Sequence, residues 1–297
     1  MSDTPCTENL AMDPPPDEFR NWLALPRDVT ASILMRLDAF EILTSAQMVC
    51  SQWHNLCKDP SMWRAVHIPS PKTLRELWKL PYDLEEMCRH AVDRSCGQLV
   101  DINVGNFGTD ELLRHIADSS SQLKRIRLVR CNNISDEALS EVAAKLPLLE
   151  ELDIAYCSLS KEALKAVGRC CPHLKSLKFN KRGRYYEIYE YMSCQDDQLK
   201  HDEVALAIAE NMSELRHLQL FGNTLTNNGV QAILDGCPHL ESLDLRQCFN
   251  TISLTEDVSR RCAEQITDLR LVFDSTYDYE FDDSYDFVPD YNSLTDW

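Results

Sequence analysis

Leu123–Ser135 reads LKRIRLVRCNNIS, and these residues decide the fold. Ile126 and Leu128 alternate with Arg125 and Arg127, the pattern of a strand with one face buried. Cys131 and Ile134 carry the apolar pattern past the strand, and Ser135 stands where a helix would be capped. The order returns as LVDINV from Leu99, LEELDI from Leu149, LKSLKF from Leu174, LRHLQL from Leu215, LESLDL from Leu240 and ITDLRL from Ile266. From Leu99 onward the first residues of these copies lie 24, 26, 25, 41, 25 and 26 positions apart. Cys131, Cys157, Asn223 and Cys248 share one place in their copies, and Ile134, Leu159, Leu225 and Ile252 follow them. Ser135, Ser160 and Thr226 can then cap the helices that complete the units. Neither a short strand nor one helix buries its apolar face alone, so the units must stack into a continuous core.

Upstream, Asp83–Ser95 (DLEEMCRHAVDRS) puts Leu84, Met87, Cys88, Ala91 and Val92 on one helical face, with Gly97 as its stop. It supplies the helix of the first unit. Over Asp83–Phe273 the period and the Leu-x-x-Leu-x-Leu core resemble leucine-rich repeats of the cysteine-containing type. That resemblance implies an α/β solenoid of about seven strand–helix repeats, with a parallel sheet on its concave side. Cys171-Pro172-His173 recurs as Cys237-Pro238-His239 at the same repeat position. A recurring place at helix ends favours packing over metal ligation.

Between the strand leucines, side chains should face the concave side. The candidates for holding a target there are Arg125, Arg127, Glu151, Asp153, Lys178, His217, Gln219, Phe221, Asp244 and Arg246. Their charges alternate in bands, which suits a protein or peptide better than nucleic acid; a solvated face with no ligand is the alternative. The 41-residue interval includes KRGRYYEIYEYMSCQDDQ, Lys181–Gln198. Arg182 stands there in place of Cys or Asn, so that turn must differ. Tyr185 and Tyr186, beside Lys181 and Arg184, are of the types that concentrate binding energy at interfaces, so a partner-contacting loop is expected. An insert packed on its own repeat is the other reading. Arginines on this face could also read a phosphate or acidic motif.

Ahead of the repeats lies Leu25–Val66, LPRDVTASILMRLDAFEILTSAQMVCSQWHNLCKDPSMWRAV. Pro26 suits a helix start, and Val29, Ile33, Leu34 and Leu37 recur at helical spacing, predicting a helix to about Leu37. A second apolar stretch covers Glu41–Val49. A third short helix carries Trp53, Leu56 and Cys57 and stops at Asp59-Pro60. So short a stretch cannot bury enough apolar surface alone, so part of it must dock on something else: the repeats, as a cap, or a partner. Leu25-Pro26, Asp28-Val29, Ile33-Leu34, Leu37, Ile42-Leu43, Val49-Cys50, Trp53, Leu56, Asp59-Pro60 and Trp63, in this order, resemble an F-box from end to end. The resemblance implies a SKP-type adaptor as partner, and through it a cullin scaffold and a ubiquitin-conjugating enzyme. It also implies Leu25, Pro26, Ile33, Leu34, Leu37, Val49, Cys50 and Trp53 as adaptor contacts. Together the two halves resemble the F-box/LRR proteins that plants encode as SKP-interacting partners.

The remaining composition narrows the function. The 297 residues are 44% hydrophobic and 26% charged, ordinary globular material. A net charge of −18 opposes non-specific nucleic-acid binding. Thirteen cysteines without a Cys-x-x-Cys pair suit a reducing compartment and offer no zinc spacing. Eight glycines supply no phosphate loop and no Gly-x-Ser-x-Gly elbow, so catalysis and cofactors are not expected. No apolar run spans a membrane. The expected organisation is a disordered leader (1–21), the F-box unit (22–66), a linker (67–82) in which Thr73–Leu80 could form a helix, the repeats (83–273, insert 181–198) and an acidic tail (274–297). Asp and aromatics interleave in that tail, so it should be mostly disordered, its aromatics able to cover the end of the stack. The expected role is a non-catalytic substrate receptor of a ubiquitin ligase in the nucleus or cytoplasm. A scaffold that binds the adaptor without promoting degradation is the alternative.

Overall fold

The computed structural model describes residues 25–68, 81–181 and 198–280. The leader, the Thr73–Leu80 helix and the tyrosines of the insert, Tyr185 and Tyr186 among them, lie outside the described residues.

The chain opens with α1 (Arg27–Leu34), α2 (Ala39–Thr44), a 3-10 turn at Ala46–Met48, α3 (Ser51–Leu56) and a 3-10 turn at Pro60–Trp63. Three local devices set these boundaries. Pro26 stands at the N-cap of α1, the Asp38 carboxylate accepts from Glu41 N–H at 2.8 Å, and Asp59 accepts from Ser61 N–H at 3.1 Å. The first helix ends at Leu34, a turn earlier than periodicity predicts, because Met35–Leu37 tighten into shorter-range bonds (Arg36 N–H to Ile33 O, 3.1 Å; Leu37 N–H to Leu34 O, 3.0 Å).

The rest is a single parallel sheet in chain order: β1 (Ala65–His67), β2 (Asp101–Val104), β3 (Arg125–Val129), β4 (Glu151–Ala155), β5 (Ser176–Asn180), β6 (His217–Gln219), β7 (Ser242–Asp244) and β8 (Asp268–Arg270). Between strands run α4 (Leu84–Arg94), α5 (Asp110–Ser119), α6 (Asp136–Ala143), α7 (Lys161–Cys170), α8 (Gln198–Asn211), α9 (Asn227–Gly236) and α10 (Glu256–Gln265). The register aligns one apolar residue per strand, Val66, Ile102, Ile126, Leu152, Leu177, Leu218, Leu243 and Leu269, as a ladder through the stack. All but Leu269, on the last strand, are buried. The solenoid architecture is therefore as the sequence predicts, with one strand more.

That extra strand is β1, supplied by the end of the opening stretch rather than by a leucine repeat. It pairs Ala65 with Asp101 and His67 with Asn103, so the helical unit is joined to the solenoid through the sheet. Trp63 locks the joint. Its side chain is fully buried, its Nε1–H donates to Cys57 O at 2.9 Å, and the Arg94 guanidinium of α4 lies 5.3 Å over its ring.

Two further ladders hold the repeats together. At the strand-to-helix turns, Cys131 N–H donates to Cys157 Sγ at 3.3 Å and Cys131 Sγ–H to Gly105 O at 2.8 Å. Cys248 Sγ–H donates to Leu220 O at 2.9 Å, and Asn223 Nδ2 to Phe179 O at 2.6 Å. In these four copies the shared place thus holds a small donor that satisfies a carbonyl of the preceding unit. At the helix starts, Ser135, Ser160 and Thr226 cap as expected, accepting from Ala138, Glu162 and Asn228 N–H. Each cap is itself gripped by the preceding repeat. Asp110 accepts from Ser135 N–H and Oγ–H (2.7 and 2.8 Å), Asp136 from Ser160 (2.8 and 2.5 Å) and Asp202 from Thr226 (2.7 and 2.7 Å).

Candidate protein-docking sites

The helical unit turns one apolar set inward and leaves another in solvent. Leu34, Ile42, Leu43, Leu56 and Trp63 join the common core. Val29 (40% exposed), Met35 (52%), Met48 (75%) and Val49 (61%) stay out. Pro26 is exposed as well, while Leu25, Ile33, Cys50 and Trp53 are half-buried. Val29 and Ile33, four residues apart on α1, share a face. Met48 and Val49 end a 3-10 turn immediately before α3. Large apolar side chains kept in water beside a well-filled core mark a protein-docking surface.

One expected adaptor contact needs correction: Leu34 has no exposed surface and belongs to the core. Leu34 ends α1 and packs into the common core with Ile42, Leu43 and Leu56. Leu37 also packs against the core and is half-buried. Conversely, Val29, Met35 and Met48 were not among the expected contacts. Their exposure carries no signature in hydrophobicity alone, since a core methionine reads the same.

On the sheet, side chains alternate as expected. Arg125, Glu151 and His217 are exposed, and Arg127, Asp153, Lys178 and Gln219 are half-buried on the concave side. They pair across strands: Arg125 Nε with Asp101 Oδ2 (2.8 Å), Arg127 Nε with Asp153 Oδ2 (3.4 Å), Lys178 Nζ with Asp153 Oδ2 (3.7 Å) and His67 Nε2 with Asp101 Oδ1 (3.2 Å). Burial pushes the Asp153 carboxyl above its ordinary pKa, and Lys178 and Arg127 oppose that. These residues line an open groove of about 250 Å³ from β1 to β5.

Farther along the sheet the tail changes the surface. Phe221, Asp244 and Arg246, expected as open contacts, are buried, Arg246 to 2% exposure. The first residues of the tail, Asp274–Glu280, fold back across the strands. Arg246 grips Asp244 (Nη2 to Oδ2, 2.7 Å), donates to Ser275 O (2.7 Å) and pairs with Asp278, as does Arg270. Tyr279 stacks on Phe221, with centroids 3.8 Å apart and planes 4° apart. Glu280 reaches Arg127 Nη2 at 2.6 Å. Among the described tail residues, Tyr279 covers the concave face.

Burial damps the reactivity of several thiols in the repeats. Burial pushes the Cys88, Cys171 and Cys248 thiols up to about 12 and Cys237 to about 11. Among the described residues no three His, Cys, Asp or Glu side chains are grouped to hold a metal ion. No helix among them is long and apolar enough to cross a membrane.

A leucine-rich-repeat solenoid with a helical cap that exposes apolar side chains is a protein-binding architecture. An F-box-like family profile matches residues 22–69. A profile of the LRR repeats of the FBD-associated F-box protein At5g56370 matches 84–195, and a leucine-rich-repeat profile matches 212–234. In Arabidopsis thaliana, the F-box protein SKIP19 is 48% identical over 275 residues, covering 91% of this chain and 85% of that protein. F-box/LRR-repeat protein 23 is 54% identical over 258 residues, 87% of this chain and 55% of that relative's length. The F-box protein SKIP1 is 31% identical over 82% of this chain and 85% of its own. The chain belongs to the plant F-box/LRR family.

Proposed function

We propose that this chain is the substrate-recognition subunit of a SKP–cullin–F-box ubiquitin ligase. The observation that carries the reading is the exposed apolar set of the helical unit, Val29, Met35, Met48 and Val49, within the segment that matches the F-box-like profile. This set docks on a SKP-type adaptor, while the concave sheet holds a target, in the nucleus or cytoplasm. A subunit of this kind needs no catalytic residue. It raises the effective concentration of target lysines beside the charged conjugating enzyme, which converts a bimolecular encounter into an intramolecular one.

A pull-down with purified SKP-type adaptor tests the reading. The full chain should retain the adaptor, and Met48→Asp/Val49→Asp should lose it while unfolding at the same urea concentration. Retention by the double variant, or no binding by a folded full chain, removes the F-box role. Adaptor capture together with failure to recruit cullin would leave the scaffold reading in its place.

A further inference from the structure

We propose that the concave face from β3 to β8 is a binding site for a peptide of acidic–aromatic–acidic sequence, which this chain's own Asp278-Tyr279-Glu280 fills in cis. It follows that a target segment of the same chemistry binds by displacing the tail. The inference deepens the target-receptor reading above and rests on it for its biological meaning, but not for its test.

Three subsites define the ligand. Arg246 and Arg270 converge on one carboxylate, Asp278. Arg246 is almost wholly buried and aimed by Asp244, which binds its Nε and Nη2, so the cation is fixed before any ligand arrives. Next, Phe221 offers a flat ring that Tyr279 covers in a parallel stack. With Arg246 lying 5.8 Å over the same ring, this subsite selects an aromatic side chain rather than an aliphatic one. Finally, Arg127 on β3, three strands from β6, takes the second carboxylate, Glu280. A cavity of about 390 Å³ remains between the tail and strands β5–β8, so the occupant lies over the sheet without filling the concavity.

The tail's sequence repeats the same chemistry beyond Glu280: Tyr285-Asp286-Phe287 and Asp290-Tyr291 follow. Docking a tethered segment costs less entropy than capturing a free one. A cis ligand on a short linker therefore competes at an effective concentration on the order of millimolar. Only targets of higher intrinsic affinity, or with several such motifs, would displace it. That makes the tail a threshold on target binding.

The test uses fluorescence anisotropy of a labelled peptide, Ser-Thr-Tyr-Asp-Tyr-Glu-Phe, with the intact chain and with the full-length variant Asp278→Ala/Tyr279→Ala/Glu280→Ala. The variant should bind the peptide at least about 10-fold more tightly than the intact chain, because the cis competitor is gone. Placing Arg127→Glu in that variant, or replacing the peptide's second tyrosine, the equivalent of Tyr279, by alanine, should weaken binding by about 10-fold. Glu280→Lys alone, an exposed change that sets like charges together, should partly reproduce the release if the triple variant proves unstable. Equal binding by intact and released chains, or none by either while both unfold cooperatively, would overturn the proposal. Running the adaptor pull-down on the same proteins separates the two readings: adaptor binding without peptide binding sinks this inference alone, and the converse sinks only the F-box role.

Discussion

Leu34 and Val49 are equally apolar in sequence, yet one is sealed in the core and the other is 61% exposed. Leu34→Ala should cost about 2–5 kcal/mol in urea denaturation, the range for emptying a packed leucine site. Val49→Ala should stay within about 0.5 kcal/mol while weakening adaptor capture. Sequence showed that both residues matter but could not divide them, because that depends on where α1 breaks and which way the 3-10 turn rolls. The aspartate of the tail permits a second test. Hydrogen bonds from Arg270 and Arg246 hold the Asp278 carboxyl down to about 2. A depressed carboxylate favours docking fully above its free pKa, and that contribution is lost as pH falls towards the docked value. The tail should therefore stay docked at neutral pH and release as pH drops from about 4 towards 2. The readout is the near-ultraviolet circular dichroism that differs between the native chain and Tyr279→Leu. Buried thiols give a third: at pH 8, iodoacetamide should modify exposed Cys96 quickly and leave Cys88, Cys237 and Cys248 untouched until the chain unfolds.

At the scale of elements, the repeats were legible because each strand and helix carries its own signals: alternation, a cap and a small turn residue. Seven strands follow directly from the leucine pattern. The eighth, β1, does not, since Ala65–His67 has no leucine and gains its pairing only from β2. The aspartate ladder of Asp110, Asp136 and Asp202 finds its partners in the next repeat, which periodicity within one unit does not reveal. Asp202, buried and accepting both Thr226 donors, should be the sensitive rung. Asp202→Ala should lower stability by about 1–3 kcal/mol, the penalty for leaving buried donors unpaired. Gly236 supports the same conclusion from packing, because a Cβ there would stand 2.2 Å from Ala209 O where α9 crosses α8. Gly236→Ala should destabilise the chain by about 1–3 kcal/mol in the same assay, despite the better helix propensity of alanine.

Taken whole, the molecule sets the exposed apolar set of the helical unit and the concave sheet on one continuous core, with β1 and Trp63 fixing the helical unit to the sheet. A target held on the strands is thereby placed at a defined position relative to whatever docks on α1 and the Met48–Val49 turn. The two-part organisation was legible in sequence. The closure of half the concave face by the tail was not, because it pairs residues far apart in the chain whose charges, taken singly, resemble a solvated surface. Hydrogen exchange on the full chain with and without a purified SKP-type adaptor tests this arrangement most directly. The account predicts slowed exchange confined to α1 and to the segment from the Ala46–Met48 turn through α3, with the amides of β2–β8 unchanged. Protection spread over the concave strands, with none in the helical unit, would contradict it.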